Sequence, residues 1–252
     1  MIGDRKKVFE KILATIFWIA VWQFATNKVN QDMILASPQK VLSELIYSIF
    51  QEPFWERVLF SYSRIMMGFF SAIFIGILSA SLSYRFKVIR ILLDPLVSVI
   101  RSVPTAAVII LFLIWAKVES LSTMVAIFMS FPIVYVNILK GMDEVDENIL
   151  EMAKVFRISP LRKIIFIYIS RVAPYFESGG INALGIAWKS GIAAEVIGLP
   201  DNSIGEILYE SKIYLNTESL FSWAVVIIIL VFLSEKIFVY AVKFIIGKIE
   251  RK

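Results

Sequence analysis

The sequence predicts an all-α, polytopic membrane protein of about six transmembrane helices with an amphipathic helix on its basic side. Three observations carry that prediction. Hydrophobic residues make up 58% of the 252 positions and charged residues only 19%, a balance that departs from a soluble domain of this size. Apolar runs near the length that crosses a bilayer, roughly 20 residues, recur along the chain. No polar block between them is long enough to hold its own core, so residues 1–252 read as a single membrane domain.

Val8–Ala25 is the first span, preceded by the basic Arg5, Lys6 and Lys7. It runs on without a small-x-small cleavage site, so it reads as a retained helix, not a secretory signal. Asn27–Phe60 is polar and mixed. Within it, Ser37-Pro38 opens a short amphipathic helix through Val41, Leu42, Leu45, Ile46 and Ile49 that lies along the membrane face. Ile65–Leu82 is the second span. Gly68, Ala72, Gly76 and Ala80 fall at every fourth position, a small-residue stripe that admits another helix at close range; the ordinary glycine and alanine content of a membrane helix gives the same residues. The third span is broken. Leu92–Ile100 and Ala106–Trp115 are each too short, and Asp94, Pro95, Arg101 and Pro104 interrupt them, which hydrocarbon tolerates only where neighbours satisfy the freed backbone. Leu121–Leu139 is the fourth span, Val172–Ile197 the fifth, Gly198–Ser219 a polar connection and Phe221–Ile246 the sixth.

Between the fourth and fifth spans lies the longest polar interruption on the basic side, Glu144–Arg171. Val145, Ile149, Met152 and Phe156 recur at helical spacing, with Glu147, Glu151 and Lys154 on the opposite face. Ser159-Pro160 stops that helix and offers an N-cap and first-turn proline to another. Helix, corner and helix together predict a docking surface.

Basic residues set the orientation. Arg5, Lys6, Lys7 and Lys11, then Arg85, Lys87 and Arg90, then Lys140, Lys154, Arg157, Arg162, Lys163 and Arg171, then Lys243, Lys248, Arg251 and Lys252 fall on the side of both termini. Lys28, Lys40, Arg57, Lys117 and Lys212 fall on the other. The bias places both termini and residues 144–171 in the cytoplasm. It also accounts for the net charge of +5 as basic loops facing an anionic leaflet, not as a nucleic-acid surface.

Composition removes several chemistries. With no cysteine and no histidine, the chain has no disulfide, thiolate nucleophile, imidazole base or ordinary zinc site. It has no phosphate-cradling glycine loop ending in Lys-Ser or Lys-Thr, and no serine-hydrolase or zinc-protease motif. A transport role outweighs an enzymatic one. The candidate path is on the fifth span, where Asn182, Gly185 and Lys189 share a face and Trp188 and Glu195 share a neighbouring one. A small, polar stripe beside an aromatic residue could line a translocation path, with Lys189 presenting a positive charge to an anionic solute. The same residues are compatible with Lys189 pairing with Glu195 or snorkelling to the interface.

Leu150–Tyr175, LEMAKVFRISPLRKIIFIYISRVAPY, resembles the cytoplasmic signature of ABC importer permeases. Glu151 and Ala153 match its first and third positions. Met152 replaces an alanine, Arg157 the signature glycine and Ser170 a proline, and Pro174 fits a later proline. LASPQKVLSEL (Leu35–Leu45), SRIMMGFFSAIFIGI (Ser63–Ile77), LLDPLVSVIRSVP (Leu92–Pro104) and GIAWKSGIAAEVIG (Gly185–Gly198) resemble the nitrate/sulfonate/taurine-type branch, which also includes permeases for pyrimidine and flavin vitamin precursors. The resemblance implies a type I importer permease in a bacterial cell membrane, surrounded by lipid. It implies pairing with a second copy, two separate ATPase subunits that bind ATP and magnesium, and an extracytoplasmic solute-binding protein. It places Glu151, Ala153, Lys154, Phe156, Arg157, Ser159 and Pro160 in the groove of the ATPase. With arginine in place of the glycine, either the bend is carried by Ser159-Pro160 or a carboxylate on the ATPase takes a charge-assisted bond from Arg157. An ion-gradient-driven transporter is the alternative, but the two halves show no repeat and that mechanism needs no docking helix.

Overall fold

The computed structural model describes residues 2–29, 31 and 33–250. The side chains of Arg5, Lys6, Lys7 and Lys11, and residues Arg251 and Lys252, all used above for orientation, lie outside the described set. Every regular element among the described residues is helical.

α1 (Ile2–Val29) carries the first apolar run and leaves nearly all of it uncovered. Its far end is tied down where the Trp22 indole N–H donates to the Ala36 carbonyl at 3.1 Å and the Trp22 ring lies 5.6 Å from Phe221. α2 (Pro38–Ile49) starts where the sequence places it. The Ser37 hydroxyl accepts from the Lys40 N–H at 3.4 Å and Pro38 occupies the first turn, satisfying one orphan donor and losing none.

α3 (Glu52–Arg85) is much longer than the expected span Ile65–Leu82, because the polar stretch before it continues as helix. Its small-residue stripe is buried against α6 (Val118–Asp143). A Cβ on Gly68 would stand 2.7 Å from the Ala126 Cβ, and one on Gly76 would stand 2.6 Å from Val134. Larger residues there would force the two axes apart. α4 (Lys87–Ser102) and α5 (Thr105–Trp115) meet at 104° across Val103-Pro104, which gives the broken third span its geometry.

α6 and α9 (Ser170–Gly198) form the central pair, with α3 and α11 (Thr217–Glu250) packed around them. The core runs through Ile65, Phe69, Tyr135, Ile138, Leu184, Trp188 and Phe238. Gly179, Gly180, Gly191 and Gly198 of α9 serve packing, not bending: no described glycine has a positive φ, and Gly180 leaves room for the Phe238 ring of α11. By length and composition α1, α3, α6 and α11 can each cross a bilayer, and the bent α4–α5 pair makes a fifth span if it counts as one. α9, with 29 residues, is long enough but too polar to qualify on composition. It coincides with the expected fifth span, covered by its neighbours on one side and exposed at Asn182 and Lys189 on the other. The polar connection after it contains a further helix, α10 (Ile204–Ile213).

Candidate functional site

The polar interruption folds as two short helices around a tight corner. α7 (Glu147–Val155) is capped by Asp146, whose carboxylate accepts from the Asn148 N–H at 2.8 Å. Just before it, Arg90 of α4 makes a two-pronged contact with Asp143, at 3.0 and 2.8 Å. That bidentate pair anchors the end of α6 from which α7 departs. Spacing within 144–171 could not reveal it, because its partner lies on another element.

The exposed face of α7 differs from the expected one. Val145 is buried but precedes the helix, so it does not set its phase. The packed face is Ile149, Leu150 and Ala153, and Ala153 is fully buried. Ala153 therefore packs inward, where a partner cannot touch it. Met152, at 50% exposure, and Phe156, at 72%, turn outward with Val155, at 78%. Glu151, Lys154 and Arg157 ring this apolar group and are exposed. An uncovered apolar patch with a charged rim is the character of a protein-binding surface.

Arg157 itself makes the corner. Its φ is 50°, in the left-handed region. The Arg157 N–H donates to the Lys154 carbonyl at 3.0 Å and the Ile158 N–H to the Ala153 carbonyl at 2.9 Å. This pair of bonds is the Schellman closure that glycine normally makes. The bend is carried here, not by Ser159-Pro160. Ser159 does stand at the N-cap of α8 (Pro160–Lys163), with Pro160 in the first turn, but its hydroxyl makes no capping bond. α8 passes through a wide π-helical turn, Ile164–Ile169, directly into α9. Helix therefore runs without a break from Pro160 to Gly198, so the corner at Arg157 leads directly into α9.

The five path candidates on α9 divide into two groups. Asn182 and Lys189 are exposed, and Gly185 between them faces open space, with nothing within 4 Å of where its Cβ would stand. Among the described residues no carboxylate lies within ion-pair distance of Lys189, so the expected Lys189–Glu195 alternative is not formed. Ser178 and Pro174 extend the same exposed face toward the start of α9. There a cleft of about 300 Å³ is lined by Asn137, Lys140, Pro174, Tyr175 and Ser178. Trp188 and Glu195 do not belong to this face. Both are buried inside the protomer, Trp188 against Tyr62. Glu195 has 0% exposure and accepts from the Ser61 hydroxyl of α3 at 2.7 Å. Helical spacing put all five near one another, but only the packing of α3 and α6 decides which side of α9 is covered.

A family model described as binding-protein-dependent transport system inner membrane component matches residues 72–248. The taurine transport system permease protein TauC of Escherichia coli is 26% identical over 230 residues, covering 89% of this chain and 82% of that protein. The nitrate import permease protein NrtB of Synechococcus elongatus is 27% identical over 206 residues, covering 77% of this chain and 73% of that protein.

Proposed function

The chain belongs to the binding-protein-dependent transport system inner membrane component family and is a multi-pass permease subunit of an ABC importer; from that premise we propose that it carries a small oxyanion-bearing solute inward along the exposed face of α9. The single observation that carries this reading is Lys189. It is an exposed, unneutralised cation on α9, on the same face as Asn182 and the open side of Gly185. A lysine on a membrane helix is expensive unless it faces water or a partner. Lys140 in the cleft gives the same face a second positive charge toward the start of α9. Taurine and nitrate, named for the relatives, both carry the oxyanion such a face would attract.

In this scheme a second copy of the chain closes the path from the opposite side. Both termini and α7 lie in the cytoplasm, as the distribution of basic residues supports. A separate ATPase subunit seats on Met152, Val155 and Phe156 of each copy, with Glu151, Lys154 and Arg157 at the rim, and supplies all ATP hydrolysis with its own magnesium. A solute-binding protein delivers from the other side. Closure of the ATPases moves α7, and the unbroken helix from Pro160 to Gly198 carries that movement to the path.

The test is uptake in proteoliposomes containing the permease, its ATPase and its binding protein, with nitrate and taurine as the solutes tried. ATP-dependent uptake is expected. Lys189→Gln should lower it about tenfold, the worth of a single charge-assisted contact, with ATPase assembly unchanged. Uptake driven by an ion gradient without the ATPase would overturn the assignment. Full uptake by the Lys189→Gln variant would remove the proposed path.

A further inference from the structure

The far end of α9 holds a buried polar node that the translocation face does not use. Oε2 of Glu195 accepts from the Ser61 hydroxyl at 2.7 Å and from the Gly205 N–H at 3.3 Å. The Ser61 oxygen in turn accepts from the Ile204 N–H at 2.9 Å. Side chains of α3 and α9 thus satisfy the first two backbone donors of α10. The seat is close. A Cβ on Gly205 would stand 2.3 Å from the Glu195 Cβ, so only glycine lets α10 rest directly on the last turn of α9. The connecting corner is fixed from both sides. Leu199 ends α9 at φ 54° with its N–H on the Glu195 carbonyl at 2.8 Å, and the Ser203 hydroxyl caps α10 by accepting from the Glu206 N–H at 3.0 Å.

Such a carboxylate is costly to bury for packing alone, since an apolar side chain of its size would fill the space. The carboxylate also faces the Ser122 hydroxyl of α6, a third polar neighbour from a third helix. What the node accomplishes is attachment: it makes the start of α10 part of the same rigid unit as the end of α9. In the orientation argued above, α10 and the exposed Asp201 and Asn202 before it face the side from which solute arrives.

We propose that Glu195 is a positioning residue that, with Ser61, clamps α10 to α9, so that docking of the solute-binding protein on the extracytoplasmic side is transmitted along α9 to the ATPase. This rests on the importer reading above and deepens it. The clamp works through geometry and accepted hydrogen bonds, not through charge. Glutamine, which keeps the accepting oxygen, should therefore replace glutamate, whereas alanine should not.

The experiment measures basal and binding-protein-stimulated ATP hydrolysis by the whole complex in lipid nanodiscs. Ser61→Ala and Glu195→Ala are expected to lose about tenfold of the stimulation, the usual size of a coupling between two sites, with basal hydrolysis at the wild-type level. Glu195→Gln is expected to retain most of the stimulation. Undiminished stimulation in both alanine variants overturns the proposal. So does a parallel fall of basal and stimulated rates, which would make the node a simple fold determinant, and so does a glutamine variant as impaired as alanine. Should Glu195→Ala fail to assemble, Ser61→Ala, which removes one hydroxyl, decides the matter alone. A wild-type complex that shows no stimulation at all would count against the importer reading itself, a different outcome from any of these.

Discussion

The two ends of the continuous helix from Pro160 to Gly198 solve the same geometric problem in opposite ways. Each continues into a short helix through a corner with a non-glycine residue in the left-handed region, Arg157 at φ 50° and Leu199 at φ 54°. At the α10 end the first donors of the new helix are taken up by Oε2 of Glu195 and the hydroxyls of Ser61 and Ser203, and Ile204 and Gly205 are buried. At the α7 end Met152, Val155 and Phe156 are uncovered, and Glu151, Lys154 and Arg157 have no ionic partner among the described residues. One corner is complete within the protomer. The other has the composition of half an interface, which is what a permease driven from another polypeptide requires.

The contrast breaks most readily at Phe156. Phe156→Asp places a charge in the middle of the apolar patch, where a seated partner would bury it. Loss at a central aromatic position commonly reaches about 3 kcal/mol, so ATP-driven uptake and co-purification of the ATPase should fall about a hundredfold. Because Phe156 is 72% exposed, thermal unfolding of the isolated permease should move little. A large fall in its melting temperature would mean that Phe156 supports the protomer's own fold, and the comparison between the corners would fail.

The opposite corner should respond in the opposite sense. Gly205→Ala puts a methyl group 2.3 Å from the Glu195 Cβ and 2.5 Å from the Val196 nitrogen, with backbone on one side and no flexible tip to move away. Overpacking of this kind costs about 2 kcal/mol. The isolated permease should therefore melt earlier in detergent with no partner present. Unchanged melting would show that α10 can lift from α9 freely.

How much of this was readable from residue order follows the same division. Elements whose signals are local came through: Ser37-Pro38 opens α2, Pro104 stands at the broken span, and an amphipathic helix follows Asp146. The phase of that helix did not. Val145 shares the spacing of Met152 and Phe156 but lies outside α7, and periodicity cannot distinguish an apolar face packed on its own chain from one kept for another. For the same reason Glu195 looked like part of a path. Its partners, Ser61 and Gly205, lie on separate helices, and nothing in GIAWKSGIAAEVIG marks the carboxylate as turned inward. The helical content of residues 204–213 was hidden by the polar residues around it: its apolar stripe, Ile204, Ile207 and Leu208, is short, and α10 is held by contacts with α9 and α11.

The smallest expected effect makes the sharpest separation, because Arg157 combines two roles that one substitution cannot distinguish. Its left-handed backbone costs about 1 kcal/mol relative to glycine, and its guanidinium stands at the rim of the docking surface. Arg157→Gly relieves the first and removes the second; Arg157→Ala removes the guanidinium and leaves the backbone strained. If the corner's shape is what the ATPase reads, the glycine variant should transport at the wild-type rate and melt slightly later, by the equivalent of about 0.5 kcal/mol after the extra freedom of the unfolded chain is counted. The alanine variant should then be the weaker of the two. If a carboxylate on the ATPase takes a charge-assisted bond from Arg157, both variants should lose transport equally, about tenfold, whatever their melting temperatures. Equal loss in uptake with unequal melting would assign the residue to the partner; unequal uptake that follows melting would assign it to the bend.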